Sequence, residues 1–211
     1  GLGNQFLANI READAICQVV RAFEDSDVHH VDGRIDPAGD LETINTELVL
    51  ADLQTLENAI PRLEKEVKGK KIEKSVLDTA VKARGVLEEG HTLFARGEAA
   101  GVDMEEAAQL GLLTTKPFIY VINVDEDQVT DDEFKARMSE LVAPADAIFL
   151  NAQLESELAE LDEAEAAELL ESVGIDEPGL HQLARKGFHT LGLQTYPVSY
   201  THLTLPTKRI V

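Results

Sequence analysis

Apolar positions along the chain fall into two kinds of pattern. Between about 41 and 89 they recur at helical spacing. Val49, Leu53, Leu56, Ile60, Leu63 and Val67 are separated by 4, 3, 4, 3 and 4 residues, a heptad seam. Ile72, Val76, Ala80, Ala83 and Leu87 continue at 4, 4, 3 and 4. Gly69 interrupts the pattern, so one helix to about 68 and a second over 71–89 are expected to pair as an antiparallel hairpin. The turn Asp36-Pro37-Ala38-Gly39 precedes the first helix, and Asp40 is its expected N-cap. Pro61 removes one backbone donor inside that helix, where a kink is expected. A shorter third helix is expected over roughly 104–113.

The second pattern is the short continuous apolar run. Residues 15–22, AICQVVRA, read as a buried central strand with Cys17 as an inert thiol inside it. Phe118–Asn123 and Ala147–Leu150 read the same way, each ending in a polar loop. Helical stretches are expected over 4–13, 131–142, 163–173 and 178–191. Asn4 is a candidate cap for the first of these, and Gly174 a stop for the third. Alternation of strands and helices at this spacing is βαβ logic and implies a parallel sheet. Val28-His29-His30-Val31, before the turn Asp32-Gly33, has strand character. Neighbours on a strand point to opposite faces, so this histidine pair is read as structural or surface-lying rather than metal-binding.

Composition narrows the function classes. Forty Asp and Glu against nineteen Lys and Arg leave a net charge of −21, which opposes unspecific binding of phosphate backbones by the whole surface. A hydrophobic content of 44% excludes a disordered acidic tail. One cysteine excludes an internal disulfide and an all-cysteine metal cluster. No apolar run approaches eighteen residues, so no membrane span is expected, and a cytoplasmic protein is the plain reading. The charge is not uniform. Residues 62–74 carry six of the nineteen basic residues, Arg62, Lys65, Lys68, Lys70, Lys71 and Lys74, among three acids. A basic helical tip on an acidic protein suits contact with an RNA backbone. A solvated turn with i,i+4 ion pairs is the plainer use of the same residues.

The candidate chemistry sits at strand ends. In open α/β sheets ligands gather at the C-terminal ends of parallel strands. Asn123-Val124-Asp125-Glu126 and Asn151-Ala152-Gln153 both fall there. An Asn amide offers a donor and an acceptor to a purine edge, and a carboxylate accepts from a base amino group. Backbone N–H groups at Asn151–Gln153 can complete such a pocket. As bare strings these residues are weak signals, and a solvated, helix-capping loop accounts equally well for Asp125 and Glu126.

Over residues 1–196 the chain resembles the YchF/Obg-like ATPases, a branch of the Obg group of P-loop nucleotidases. The resemblance is carried by Gly1-Leu2-Gly3-Asn4-Gln5-Phe6-Leu7, Asn9-Ile10-Arg11-Glu12, Ala15-Ile16, Val20-Arg21 and Phe23-Glu24. It continues through Ile44-Asn45-Thr46-Glu47-Leu48, Ala51-Asp52-Leu53, Pro117, Asn123-Val124-Asp125-Glu126, Glu177-Pro178-Gly179-Leu180 and Leu193-Gln194-Thr195-Tyr196. It implies a partial Ras-like α/β nucleotide domain interrupted by an antiparallel helical, coiled-coil hairpin. The implied division is 1–40 and 114–192 for the nucleotide domain, 41–113 for the insertion, and 193–196 for the start of a small β-rich (TGS) domain. Asn123 and Glu126 match the base-recognition motif, with Val124 and Glu126 standing where GTPases carry Lys and Asp, a change that in this family goes with ATP over GTP. Adenine preference does not follow from the longer carboxylate alone. Ala152, between Asn151 and Gln153, matches the second base-side loop. Gly1, Gly3 and Asn4 resemble the end of the mobile switch that senses the γ-phosphate, although a Gly-x-Gly before a helix is by itself an ordinary loop. The implied partners are ATP, with GTP as the alternative, Mg²⁺ and the ribosome, its large subunit or RNA; DNA sequence recognition and membranes are not implied.

The sequence departs from the family pattern at its ends. Gly-x-x-x-x-Gly-Lys-[ST] is absent, and so are the family's Mg²⁺-holding segments, which would precede Gly1. No catalytic residue and no metal ligand is therefore assigned here, and the chain by itself is expected to be inactive and poorly folded. Residues 197–211, PVSYTHLTLPTKRIV, hold no Asp or Glu. Val198–Leu203 resembles one frame of a transposon adapter used in sequencing libraries, and no function is assigned to it. Two other readings stay open, a GTPase of the Obg group and a non-enzymatic coiled-coil interaction module.

Overall fold

A computed structural model describes residues 3–23 and 36–194. His29, His30, Gly1 and the stretch 197–211 therefore lie outside the described residues. Chain order is α1 (Asn4–Glu12), β1 (Ile16–Arg21), α2 (Pro37–Lys68), α3 (Lys74–Glu88), α4 (Leu93–Arg96), α5 (Met104–Gln109), a 3₁₀ turn (Leu113–Thr115) and β2 (Phe118–Asn123). It continues with α6 (Glu126–Val129), α7 (Asp132–Val142), β3 (Asp146–Leu150), α8 (Ala152–Leu158), α9 (Glu163–Val173) and α10 (Gly179–Thr190).

The three strands form one parallel sheet in the order β1-β2-β3. Arg21 aligns with Asn123, and Asn123 with Leu150, so the three C-terminal ends are level. This register makes two faces. Val20, Tyr120 and Ile122 bury into a core with Leu41 and Leu48 of α2 and Phe134, Met138 and Val142 of α7. Ile119, Val121, Ile148 and Leu150 bury on the other face, where Leu183 of α10 packs. On that second face β1 is not covered: Val19 is 68% exposed and Cys17 is exposed. The expectation of a buried central strand is thus corrected: among the described residues β1 is an edge strand and β2 is central, and β1 is buried on one face only, because α10 packs over β2 and β3. Partial desolvation still pushes the Cys17 thiol up, which keeps it protonated near neutral pH.

A second core belongs to the hairpin. Val49, Leu56, Ile60 and Leu63 of the seam bury against Ala80, Ala83, Val86 and Leu87 of α3, with Leu93, Ala107 and Leu112 closing the cluster. Glu106 of α5 accepts from Ser75 Oγ at 2.9 Å and Thr79 Oγ1 at 2.7 Å, which fixes α5 on α3. Thus α2 serves both cores, through Leu41 and Leu48 at one end and the seam at the other.

Several helix limits differ from the sequence expectation. α2 starts at Pro37, and its cap is Asp36, whose carboxylate accepts from Gly39 N at 3.1 Å, rather than Asp40. Proline's fixed φ suits the first helical position and moves the start one turn earlier. α1 is preceded by Gly3 without a side-chain cap, so Asn4 is the first helical residue and not its cap. α3 begins at Lys74, not 71, after a turn in which Lys70 has φ +54°. The helix expected over 104–113 stops at Gln109, because Gly111 takes φ +78° and the chain then re-forms a 3₁₀ turn. Pro61 sits inside α2 without ending it.

Candidate nucleotide-base site

The level strand ends bring three loops together. Phe23, Asn123, Val124, Asp125, Asn151, Ala152 and Gln153 line one pocket of about 270 Å³. Five of the six sequence-nominated base-site residues are in this lining, and Glu126 is not. Glu126 is exposed and opens α6, one residue beyond Asp125.

A short hydrogen-bond network holds the loops in place. Ala22 N–H donates to Asn123 O at 2.7 Å, and Val124 N–H to Leu150 O at 2.9 Å. Asn151 Nδ2 donates to Val124 O at 2.9 Å, while its Oδ1 accepts from Leu154 N at 2.9 Å and so caps α8. Asn123 Oδ1 accepts from Ala152 N–H at 3.1 Å. Each asparagine therefore braces the other's loop, residues 27 and 29 apart in sequence. Asp125 and Gln128 form a capping box, with Gln128 Oε1 accepting from Asp125 N–H at 3.0 Å. Val124 is buried beneath the loop. Alternation along β2 does not signal this packing, since Phe118 through Ile122 are all buried and only Asn123 is half-buried.

Phe23 is the residue that a strand-end search misses, because it follows β1 by two positions. Arg21 holds it: Arg21 Nε donates to Phe23 O at 3.1 Å, and the guanidinium lies 4.6 Å from the ring centroid. An aromatic residue two positions past an apolar run is all the sequence offers, and only the level strand ends place its ring at the pocket. Among the described residues no three His, Cys, Asp or Glu side chains converge as a metal cluster.

The Glu177-Pro178-Gly179-Leu180 motif lies apart from this pocket and is structural. Glu155 is buried, and its carboxylate accepts from Gly179 N at 2.5 Å and Leu180 N at 3.2 Å, capping α10. A Cβ at Gly179 would lie 2.4 Å from Leu150 Cβ, so only glycine lets α10 approach β3 this closely. Glu177 pairs with Arg185 at 2.6 Å, which holds the Glu177 carboxyl below the usual range.

The basic residues lie far along α2 from the sheet. Arg62, Lys65, Lys68, Lys70, Lys71 and Lys74 are all exposed around the α2–α3 turn, with a long Lys74–Asp78 pair at 3.9 Å. Gly3 and Asn4 stand at the start of α1. No helix among the described residues is long and apolar enough to cross a membrane.

No protein-family model matches the chain. Curated relatives do. The chain is 46% identical over 205 residues to the ribosome-binding ATPase YchF of Haemophilus influenzae, covering 93% of this chain and 54% of that protein. It is 43% identical over 206 residues to the protein of the same name from Bacillus subtilis, covering 93% and 55%. Among solved structures it is similar to the YchF GTPase of Schizosaccharomyces pombe, with a TM-score of 0.72, 29% identity and coverage of 90% and 53%. The chain spans about half the length of these relatives.

Proposed function

This chain belongs to the YchF family, and we propose that its strand-end pocket receives the purine of a nucleoside triphosphate in a cytoplasmic, ribosome-associated ATPase. The convergence of the two asparagine loops on one pocket carries this reading. Asn123 Oδ1 is taken by Ala152 N–H, which leaves Nδ2 as the donor for a purine N7. Phe23 supplies a face for stacking. Glu126, exposed at the start of α6 just outside the lining, is the carboxylate we assign to a base amino group at the pocket mouth, and Asn151–Gln153 close the second side. Residues 1–40 and 114–192 act as one nucleotide-binding unit, and 41–113 as its inserted arm.

The relatives' names differ on the nucleotide, ATPase in the bacterial proteins and GTPase in the fission-yeast structure. Our reading is ATP over GTP, hydrolysed to ADP and phosphate, with Mg²⁺ held by residues outside this chain. Competition between ATP and GTP for the complete gene product tests it. ATP displacing a bound fluorescent ATP analogue at lower concentration than GTP is the expected result. Equal or better displacement by GTP favours the Obg-type GTPase instead. Asn123→Ala is expected to weaken nucleotide binding about tenfold, the worth of one hydrogen bond.

The basic tip supports a ribosomal RNA contact, on the large subunit, in an otherwise acidic chain. Charge reversal at Lys68, Lys70 and Lys71 is expected to weaken ribosome binding and flatten its salt dependence. Unchanged binding with an unchanged salt slope removes the tip from the interface.

A further inference from the structure

The hairpin arm and the base pocket are joined by a small set of buried polar contacts. Asp52, in the middle of α2, is fully buried. Its Oδ1 accepts from Leu113 N at 2.7 Å, and its Oδ2 accepts from Thr114 N at 2.8 Å and from Thr114 Oγ1 at 2.7 Å. Thr114 Oγ1 in turn accepts from Leu93 N at 3.3 Å, which ties in α4. Asn45 lies seven residues before Asp52, two helical turns away and so on the same face of α2. Its Oδ1 accepts from Tyr120 OH at 3.3 Å. The segment these residues grip is the root of β2. Lys116 extends the grip to α1, where Nζ donates to the carbonyls of Arg11 and Ala13.

Buried carboxylates are costly unless every oxygen is met by donors. Burial pushes the Asp52 carboxyl up, against the three donors that pull it down. A leucine at this position would continue the apolar seam next to Leu53 and Leu56. The carboxylate instead fixes one register of α2 against residues 113 and 114, with hydrogen bonds whose geometry tolerates little sliding. On one side of this joint the arm from Asp52 to Lys68 is about 24 Å long at 1.5 Å per residue. On the other side β2, six residues, runs about 20 Å to Asn123 and the pocket.

We infer that Asp52 is a positioning residue, the pivot through which the helical arm and the strand carrying the base pocket move as one piece. This rests on the tip and the pocket being the ribosome and nucleotide sites proposed above. Ribosome engagement at the tip then changes nucleotide affinity, and nucleotide changes ribosome affinity by the same factor. Asp52→Asn breaks the pivot with little change of volume. Its amide offers one acceptor oxygen and turns an NH₂ toward a backbone donor. Thr114→Val removes the hydroxyl contact while leaving Asp52 in place, as a second and milder variant.

The test uses the complete gene product with purified ribosomes and ATP. The affinity for ATP is measured with and without ribosomes in wild type, Asp52→Asn and Thr114→Val. Ribosomes are expected to change the wild-type affinity at least about fivefold, the lower range of allosteric couplings. In folded variants this ratio is expected to fall to within about twofold of one, with the ATP affinity measured alone unchanged. Hydrogen exchange at the Leu113 and Thr114 amides is expected to rise in the same variants. A ratio preserved in both variants, with both ligands still bound, overturns the pivot and leaves the two sites standing. A wild-type ratio of one also overturns it. Absence of ATP binding or of ribosome binding in wild type overturns the underlying site reading, and the pivot with it.

Discussion

The helical arm and the sheet are built on different terms. The arm's partners are close in sequence: one seam meets the next after a turn, and α4 and α5 close the cluster without help from the sheet. In the sheet β1 and β2 pair residues about a hundred positions apart, Ile16 with Phe118 through Arg21 with Asn123, and β1 is covered on one face and open on the other. A heptad spacing therefore suffices to specify the arm, whereas the sheet depends on long-range register and on what packs over it. The two regions meet at α2, which contributes apolar residues to both cores and polar ones, Asn45 and Asp52, to the joint.

If the arm is the self-contained region, cutting its core is the most damaging single change. Leu56 is completely buried in the seam, and Leu56→Ala is expected to cost about 2–5 kcal/mol in urea unfolding. A loss under about 1 kcal/mol would mean that the seam collapses easily and that the arm is not the tight half.

Over the sheet, the sensitive point is the close approach of α10. Gly179→Ala places a methyl group against Leu150 and the Glu155 carboxylate, and is expected to destabilise by about 1–3 kcal/mol. Gly187, in the same helix with nothing near its added Cβ, is the control. Gly187→Ala is expected to leave stability unchanged or slightly raised. Equal losses at both positions would point to helix backbone effects and not to the contact with β3.

The smallest effect separates the two regions by pH. Glu177 is held below the ordinary glutamate range, first by its hydrogen bond to Arg185. A depressed folded-state value adds stability above the unfolded glutamate value, and that stability is lost as pH falls through the lower, folded value. Thermal melts of wild type and Arg185→Gln are expected to differ slightly near neutral pH and to converge below that window. A difference that persists in acid would show that Arg185 acts through packing. The pair is exposed, so the effect is modest and shrinks with salt.

Much of this organisation was legible in the residues. The seam, the strands at 118–123 and 147–150, and the helices at 132–142, 163–173 and 179–190 follow from spacing, caps and glycine stops within a few positions. The meeting of Asn123 and Asn151–Gln153 in one pocket was legible because each follows an apolar run that reads as a parallel strand, and such strand ends fall at one edge of the sheet. Phe23 was not, since its place depends on β1 ending level with β2. Cys17 was misread because an apolar run shows burial but not on which face, or under what. Asp52 gave no outward sign of its role: a carboxylate next to a seam reads as solvated until residues 113 and 114 come back to meet it.

By itself the sequence determined the elements whose information is local. Helical periodicity, turn chemistry, strand runs and the clustering of positive charge at 62–74 need only neighbours within a few residues. Tertiary structure decided everything that requires distant residues to share a space. It set the level ends of three strands, the mutual bracing of Asn123 and Asn151 across two loops, the glycine contact at 179, and the burial of Asp52 against donors some sixty residues away. Hydrogen bonds and van der Waals contacts act over a few ångströms, and only the folded chain fixes which distant groups come within that reach.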